Sequence, residues 1–473
     1  MPSFTELIDP VCCALDSLIA AGEPYEGLFP SLLDRESGEM LEEMPEPIPG
    51  QRNGDRSHPG NNLMHDEPTL RTMYALAEAL DRPDYAEAAD RYLERFAKHC
   101  TTTATGLFPW GEHSFWHLTE GRVGNSYLHY NPDHGGPAIH DHLRQAPVWL
   151  WEKLWEVNPE CVERFGEGLD YHWVEGRHEE YIRHAAITER VYPTRGARSC
   201  DFPRHGGFYI LDWAYAWSRT GREEFLDQMR DMVDYWWEKR DELGLLLIES
   251  RSPEDDRFHN TNAPGQTISL AASLLETADL VEEQLPDLAA TMRERAGVYV
   301  EGFCAAPHDL EDGVFVILSD RSDNSVVEAM PVWGSKYGTW PASYVALTCL
   351  AAHRVRPEAR LLEWARAVGR EYVEEPFPRD VAVPAMDAGL GLGLLADLYY
   401  TSGRADWLDA AWGLSTDLIE IYFDDAPLPR GAAGIDRYES QMGPGFLLHG
   451  LARTALLSQD PTGCPLEADY TAR

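Results

Sequence analysis

Five carboxylates stand at helix starts or in long polar stretches of the 473-residue sequence: Asp66, Glu112, Asp201, Asp387 and Glu439. Hydrolysis of a glycosidic bond needs two carboxyl groups across the bond, one protonated as acid and one ionised as base or nucleophile. We take Asp66, Glu112, Asp201 and Asp387, with the imidazole of His205, as catalytic candidates. Asp66 ends the run His58-Pro59-Gly60-Asn61-Asn62-Leu63-Met64-His65-Asp66. Capping of the helix that follows accounts for an Asp there. The His and Asn residues of the run offer the paired donors and acceptors that hydroxyl-rich ligands need, so His58, Asn62 and His65 are candidate contacts.

The next polar stretch carries Phe108-Pro109-Trp110-Gly111-Glu112-His113-Ser114-Phe115-Trp116-His117 and then His140-Asp141-His142. Trp110 offers a flat apolar face on which a pyranose ring can stack, and Glu112 and His113 suit proton transfer. A metal competes for the same residues, but His113 and His117 follow Pro109 and Gly111 and match no standard ligand spacing. The expectation is therefore no metal and no cofactor. Further along, Arg198 and Arg204 flank Asp201 and His205, and clustered Arg in an acidic chain suggests an anionic group on the ligand. Pairing of those Arg residues with acidic helix ends accounts for them equally well. His259, Trp333, Tyr337 and Trp340 stand in later loops and extend the candidate wall, although aromatics beside Gly and Pro also pin loops to a core. Glu439 precedes the last helix, where capping is its other role.

These residues must be positioned by helices. Short turns recur at Asp81-Arg82-Pro83-Asp84, Asn158-Pro159-Glu160, Thr220-Gly221-Arg222, Gln284-Leu285-Pro286-Asp287, Val355-Arg356-Pro357-Glu358 and Ser402-Gly403-Arg404. Gly ends a helix readily and Pro starts one at no hydrogen-bond cost. Around these turns apolar residues repeat at three- and four-residue spacing, as in Leu70, Met73, Tyr74, Ala77 and Leu80. The pattern predicts hairpins near 66–99, 142–175, 206–240, 264–303, 342–375 and 386–423, with end helices near 4–21 and 444–458. Six hairpins that cannot bury their apolar faces alone close into a ring, an all-α (α/α)6 toroid in one domain over 1–473, with an open solenoid as the alternative. The long connections, near 100–141, 176–205, 241–263 and 304–341, then emerge on one face, and long loops usually carry function.

Composition narrows the partners. The formal net charge is −40, from 80 acidic and 40 basic residues, which opposes nucleic acid and anionic membranes. Lys occurs only at positions 98, 153, 239 and 336. An acidic, Lys-poor surface suits concentrated salt, where self-repulsion is screened, and equally serves solubility alone. Met1–Ile19 lacks a basic start with a long apolar run, and the eight Cys form no C-x-x-C pair, so the expectation is a reduced, cytosolic protein.

Six hairpins with long loops on one face resemble the (α/α)6-toroid superfamily of carbohydrate-active enzymes, which includes glycoside hydrolases, polysaccharide lyases and N-acylglucosamine 2-epimerases. The resemblance implies a small carbohydrate substrate. Asn61-Asn62 with His65 is similar to the Asn/His clusters of toroid lyases, though an adjacent Asn-His pair is absent. Ala263-Pro264-Gly265-Gln266-Thr267 resembles an epimerase helix start, but Gln266 stands where that family has its catalytic His. The leading expectation is a glycoside hydrolase acting on small oligosaccharides that carry uronates. The alternative is a β-eliminating lyase with His65, His113, His205 or Tyr337 as base and Arg198 or Arg204 on the carboxylate. An epimerase and a non-catalytic glycan-binding repeat protein complete the set.

Overall fold

The computed structural model describes residues 4–195, 200–250, 260–336 and 339–468. Its helices run α1 (Phe4–Gly22), α2 (Leu63–Ala79), α3 (Pro83–Arg95), a single-turn α4 (Tyr127–Tyr130), α5 (Val148–Val157), α6 (Pro159–Gly168), α7 (Pro203–Thr220), α8 (Glu223–Trp237), α9 (Pro264–Val281), α10 (Pro286–Ala305), α11 (Ala342–Val355), α12 (Ala359–Glu374), α13 (Ala385–Ser402), α14 (Ala405–Tyr422) and α15 (Pro444–Gln459). The expected hairpins are α2–α3, α5–α6, α7–α8, α9–α10, α11–α12 and α13–α14. Their turns use the predicted chemistry: Pro83, Pro159 and Pro286 open outer helices, and Gly221 and Gly403 end α7 and α13 with φ of +66°, a conformation Gly adopts without cost.

The first helix of each hairpin lines the ring and the second covers it. In α7 every residue from Pro203 to Ala216 is buried, whereas the outer helix α8 buries one face through Phe225, Met229, Met232 and Trp236. Around the inner layer α7 packs on α9, α9 on α11 and α11 on α13. The short α5 bridges its neighbours through two indoles: Trp149 Nε1 donates to Glu67 of α2 at 3.1 Å, and Trp151 Nε1 donates to Asp212 of α7 at 2.9 Å. The two terminal helices pair with each other, and α15 fills the gap between α13 and α2. The ring is therefore closed, and the solenoid alternative falls. Buried apolar side chains form a cluster that runs from Leu7 to Leu466. No described helix is long and apolar enough to cross a membrane.

Short strands stitch each long loop to the next around one rim. Gly60–Asn61 pairs with Ser114–His117, Ile139–His140 with Ala185–Ala186, Cys200–Asp201 with Glu249–Ser250, Thr261–Asn262 with Val316–Asp320, and Leu32–Leu33 with Tyr438–Glu439. These described loop segments are thus anchored to their neighbours.

Candidate active site

Within that rim lies a cavity of about 370 Å³, the size of pocket that takes a ligand of one or two rings. Phe202, Ala263, Pro384 and Gly443 line it, and these are the residues that immediately precede α7, α9, α13 and α15. Inner helices therefore point their N-terminal ends, with partial positive charge, at the cavity. Its cationic lining adds to that field: Arg52, Arg144, Arg183, Arg204 and Lys336 face it against Asp55, Glu112 and Glu328. In a chain of net charge −40 the cavity is locally reversed in sign.

One wall holds a cluster of carboxylates, imidazoles and guanidinium groups. Arg183 lies 3.2 Å from Glu112 Oε2 and 2.6 Å from Asp141 Oδ2. His184 Nε2 lies 3.1 Å from the same Asp141 oxygen, and His113 Nε2 lies 3.4 Å from Glu112 and 4.0 Å from Asp141. On its far side His113 Nδ1 lies 3.4 Å from Asp55, which Arg52 also pairs. Strand register builds the cluster: His140 sits opposite Ala185, so the next residues outward, Asp141 and His184, become neighbours. Two buried anchors hold Asp141 in place. His140 bonds Trp110 at 3.0 Å and His172 at 2.8 Å, and His142 contacts Asp212 at 2.7 Å. Burial raises the Asp55 carboxyl and drives His184 and His205 well below the usual imidazole value, so both rings are neutral.

Ligand atoms of His113, Asp141 and His184 lie within 4.8 Å of one another, as do those of Asp55, Glu112 and His113. His113 Nε2, Asp141 Oδ1 and His184 Nε2 are buried without a hydrogen-bond partner. Imidazole with carboxylate is a donor set for a first-row divalent cation. Three carboxylates here face two guanidinium groups, and a cation would offset the excess charge. The residues fit a metal.

Of the sequence candidates, Glu112, His65, Arg204 and Trp340 line the cavity. His65, in the first turn of α2, has Nε2 without a partner, and burial lowers its pKa to about 3. His113 stands behind Glu112, and His205 is fully buried with Nε2 3.8 Å from Asp141. The other carboxylates are not at the cavity. Asp66 accepts from Asn61 at 2.9 Å and Tyr92 at 2.8 Å; Asp387 accepts from Ser335; Asp201 binds Tyr235 and Arg195; Glu439 is paired with Arg56 at 2.6 Å and Arg437 at 2.9 Å. They hold loops to helices, because a carboxylate next to a helix start finds loop donors before it finds the axis. Asn62 caps α2, its Oδ1 accepting from Met64 N, and His58 is buried under the rim. Trp110 is no platform: it is fully enclosed, with Phe108, Trp151 and Phe165 within 6 Å. Trp333 packs on Tyr372 and Phe377 instead of the cavity. Arg198, His259 and Tyr337 lie outside the described residues. Sequence reasoning passed over Asp55, Arg144, Arg183 and His184, and weighed Asp141 only as a further ligand in the competing metal reading. Their one signal was the local density of His in an acidic chain.

A family model described as "Periplasmic pectate lyase" matches residues 42–196, less than half of the chain. No curated protein matches the sequence. Among solved structures, a D-mannose isomerase is similar at 11% identity and a TM-score of 0.47, covering 96% of this chain and 99% of its own. The unsaturated glucuronyl hydrolase of Bacillus sp. GL1 is similar at 14% identity and a TM-score of 0.46, covering 94% and 96%. A sugar epimerase from a ruminal bacterium is similar at 9% identity and a TM-score of 0.46, covering 97% and 99%. Likenesses at this level leave the reaction open.

Proposed function

We propose that this protein is a carbohydrate-active lyase that cleaves short uronate-bearing saccharides by β-elimination. One observation carries the reading: a cationic cavity at the inner-helix N-termini abuts a cluster of Arg183, Asp141, His113 and His184 fit to hold a divalent cation. The six residues Asp55, Glu112, His113, Asp141, Arg183 and His184 all fall in the stretch matched by the pectate lyase model.

In β-elimination a base takes the C5 proton beside the uronate carboxylate, the electron pair forms the C4–C5 double bond, and the C4–O bond breaks with a proton passing to the leaving oxygen. His113, Asp141 and His184 would hold a divalent cation, which would supply positive charge to the substrate carboxylate and so acidify C5. Arg183, whose Nη1 is held between Glu112 and Asp141, lines the cavity and adds positive charge there. His65 accepts the proton: the residue lines the cavity, its buried Nε2 has no hydrogen-bond partner and is neutral, and a bound carboxylate raises its pKa from about 3.

The hydrolase alternative needs two carboxyl groups at the bond. Glu112 is at the cavity but tied to Arg183, and Asp55, beside it in the cavity lining, is paired with Arg52. The deciding experiment incubates the protein with uronate oligosaccharides, with and without a chelator, and records ultraviolet absorbance and product mass. The expected product is unsaturated, carries no added water and disappears on chelation. Products heavier by one water would return the hydrolase reading.

A further inference from the structure

The geometry points to Arg204 as a second anion subsite, which makes two consecutive acidic sugars the unit this cavity recognises; the inference rests on the lyase reading above. Arg204 follows the first residue of α7, is 5% exposed and lines the cavity. Its Nε and one terminal nitrogen, Nη1, are buried without a hydrogen-bond partner, and among the described residues no carboxylate pairs with it. What surrounds it is aromatic: Trp340 lies 5.1 Å from the guanidinium carbon and Phe202 5.9 Å.

A buried guanidinium without a counter-ion is costly, and a site that retains one is completed by a ligand anion. Arg183 differs, because Glu112 and Asp141 already offset its charge. Both guanidinium groups rest against the same Phe202 ring, Arg183 at 4.8 Å from its centroid. The shared ring keeps the two groups within reach of one short saccharide chain. Trp340 and Phe202 flank the Arg204 guanidinium, whose fork suits bidentate capture of a planar carboxylate.

The test measures binding of a saturated diuronate and of its single methyl ester by calorimetry, with wild-type protein, Arg204→Met and Arg204→Lys. Met keeps the apolar packing and removes the charge; Lys keeps the charge and loses the fork. Wild-type protein should prefer the diacid to the monoester by roughly ten- to hundred-fold, the worth of one charged hydrogen-bonded contact. Arg204→Met should abolish that preference, and Arg204→Lys should restore part of it. The unfolding midpoint of ligand-free Arg204→Met should equal or exceed that of wild type, since an uncompensated buried charge is gone. A lowered midpoint with the preference intact would show a structural Arg204 and overturn the inference while leaving the lyase reading standing. Wild-type protein that binds neither saccharide would overturn both.

Discussion

Arg183 carries two ion pairs at once while facing a cavity, so its substitution separates charge from shape. Arg183→Met should lower kcat/KM on a uronate oligosaccharide by at least ~100-fold, the usual cost of removing one preorganised electrostatic contact. It leaves Glu112 and Asp141 with less compensation, so a loss of stability of about 3 kcal/mol accompanies it. Arg183→Lys, which keeps charge without the fork, should fall between; equal activity in all three proteins would remove Arg183 from the site. Asp66 gives a separate, pH-based expectation. Burial raises its pKa from 3.8 to about 7, so between those values the folded protein holds a proton that the unfolded chain has released. The stability this adds is full below pH 3.8 and is lost as pH rises through 7. The excess stability of wild type over Asp66→Asn, measured by denaturant unfolding, should therefore shrink with rising pH across that window. A difference that is constant or grows with pH would contradict the raised carboxyl. The site was half legible at this scale. Glu112, His65, Arg204 and Trp340 could be picked from loops by residue type, whereas Asp141, Arg183 and His184 meet only because one pair of two-residue strands sets their register.

Helices α13 and α15 cross where side chains are absent. A Cβ on Gly389 would lie 2.3 Å from both Leu447 N and Phe446 C, and one on Gly450 would lie 2.9 Å from Gly389 O. These are backbone atoms of the neighbouring helix and cannot step aside. Gly389→Ala should cost about 1–3 kcal/mol as the helices are forced apart, and because Pro384 and Gly443 open these two helices at the cavity, KM should rise with it. Gly393, one turn on in α13, has nothing within 4 Å of its Cβ position. Gly393→Ala should be neutral or stabilise by up to ~1 kcal/mol through helix propensity. Thermal unfolding of the pair checks this: similar midpoints for both variants would show that the crossing is looser than described. The Pro starts and Gly stops were readable as ring-forming hairpins because helices announce themselves through a 3.6-residue period and their caps. The rim strands were not readable, since two-residue pairings carry no periodicity, and neither was the pairing of α1 with α15, which joins residues from opposite ends of the chain.

Across the whole molecule two electrostatic fields oppose each other. The surface belongs to a chain of net charge −40, which repels itself and any anionic saccharide at long range. The cavity is lined by Arg144, Arg183 and Arg204, all largely buried, and attracts the same saccharide at short range. Salt distinguishes them, because the screening length falls from about 10 Å at 0.1 M to about 3 Å at 1 M while buried pairs are screened much less. Surface repulsion should fade first. Raising sodium chloride from 0.1 M towards 1 M should therefore raise the unfolding midpoint and, over the same range, lower KM for an acidic oligosaccharide, since approach becomes easier and the contacts in the cavity persist. A neutral oligosaccharide of equal length should show no such fall. Initial rates across a salt series, with potassium chloride as the parallel control, measure both effects. A KM that climbs with salt would mean that the cavity's attraction acts through solvent and dominates the approach; a midpoint that falls would mean that ion pairs at the surface, such as Arg82–Asp84 and Arg360–Glu301, outweigh the self-repulsion of the acidic surface.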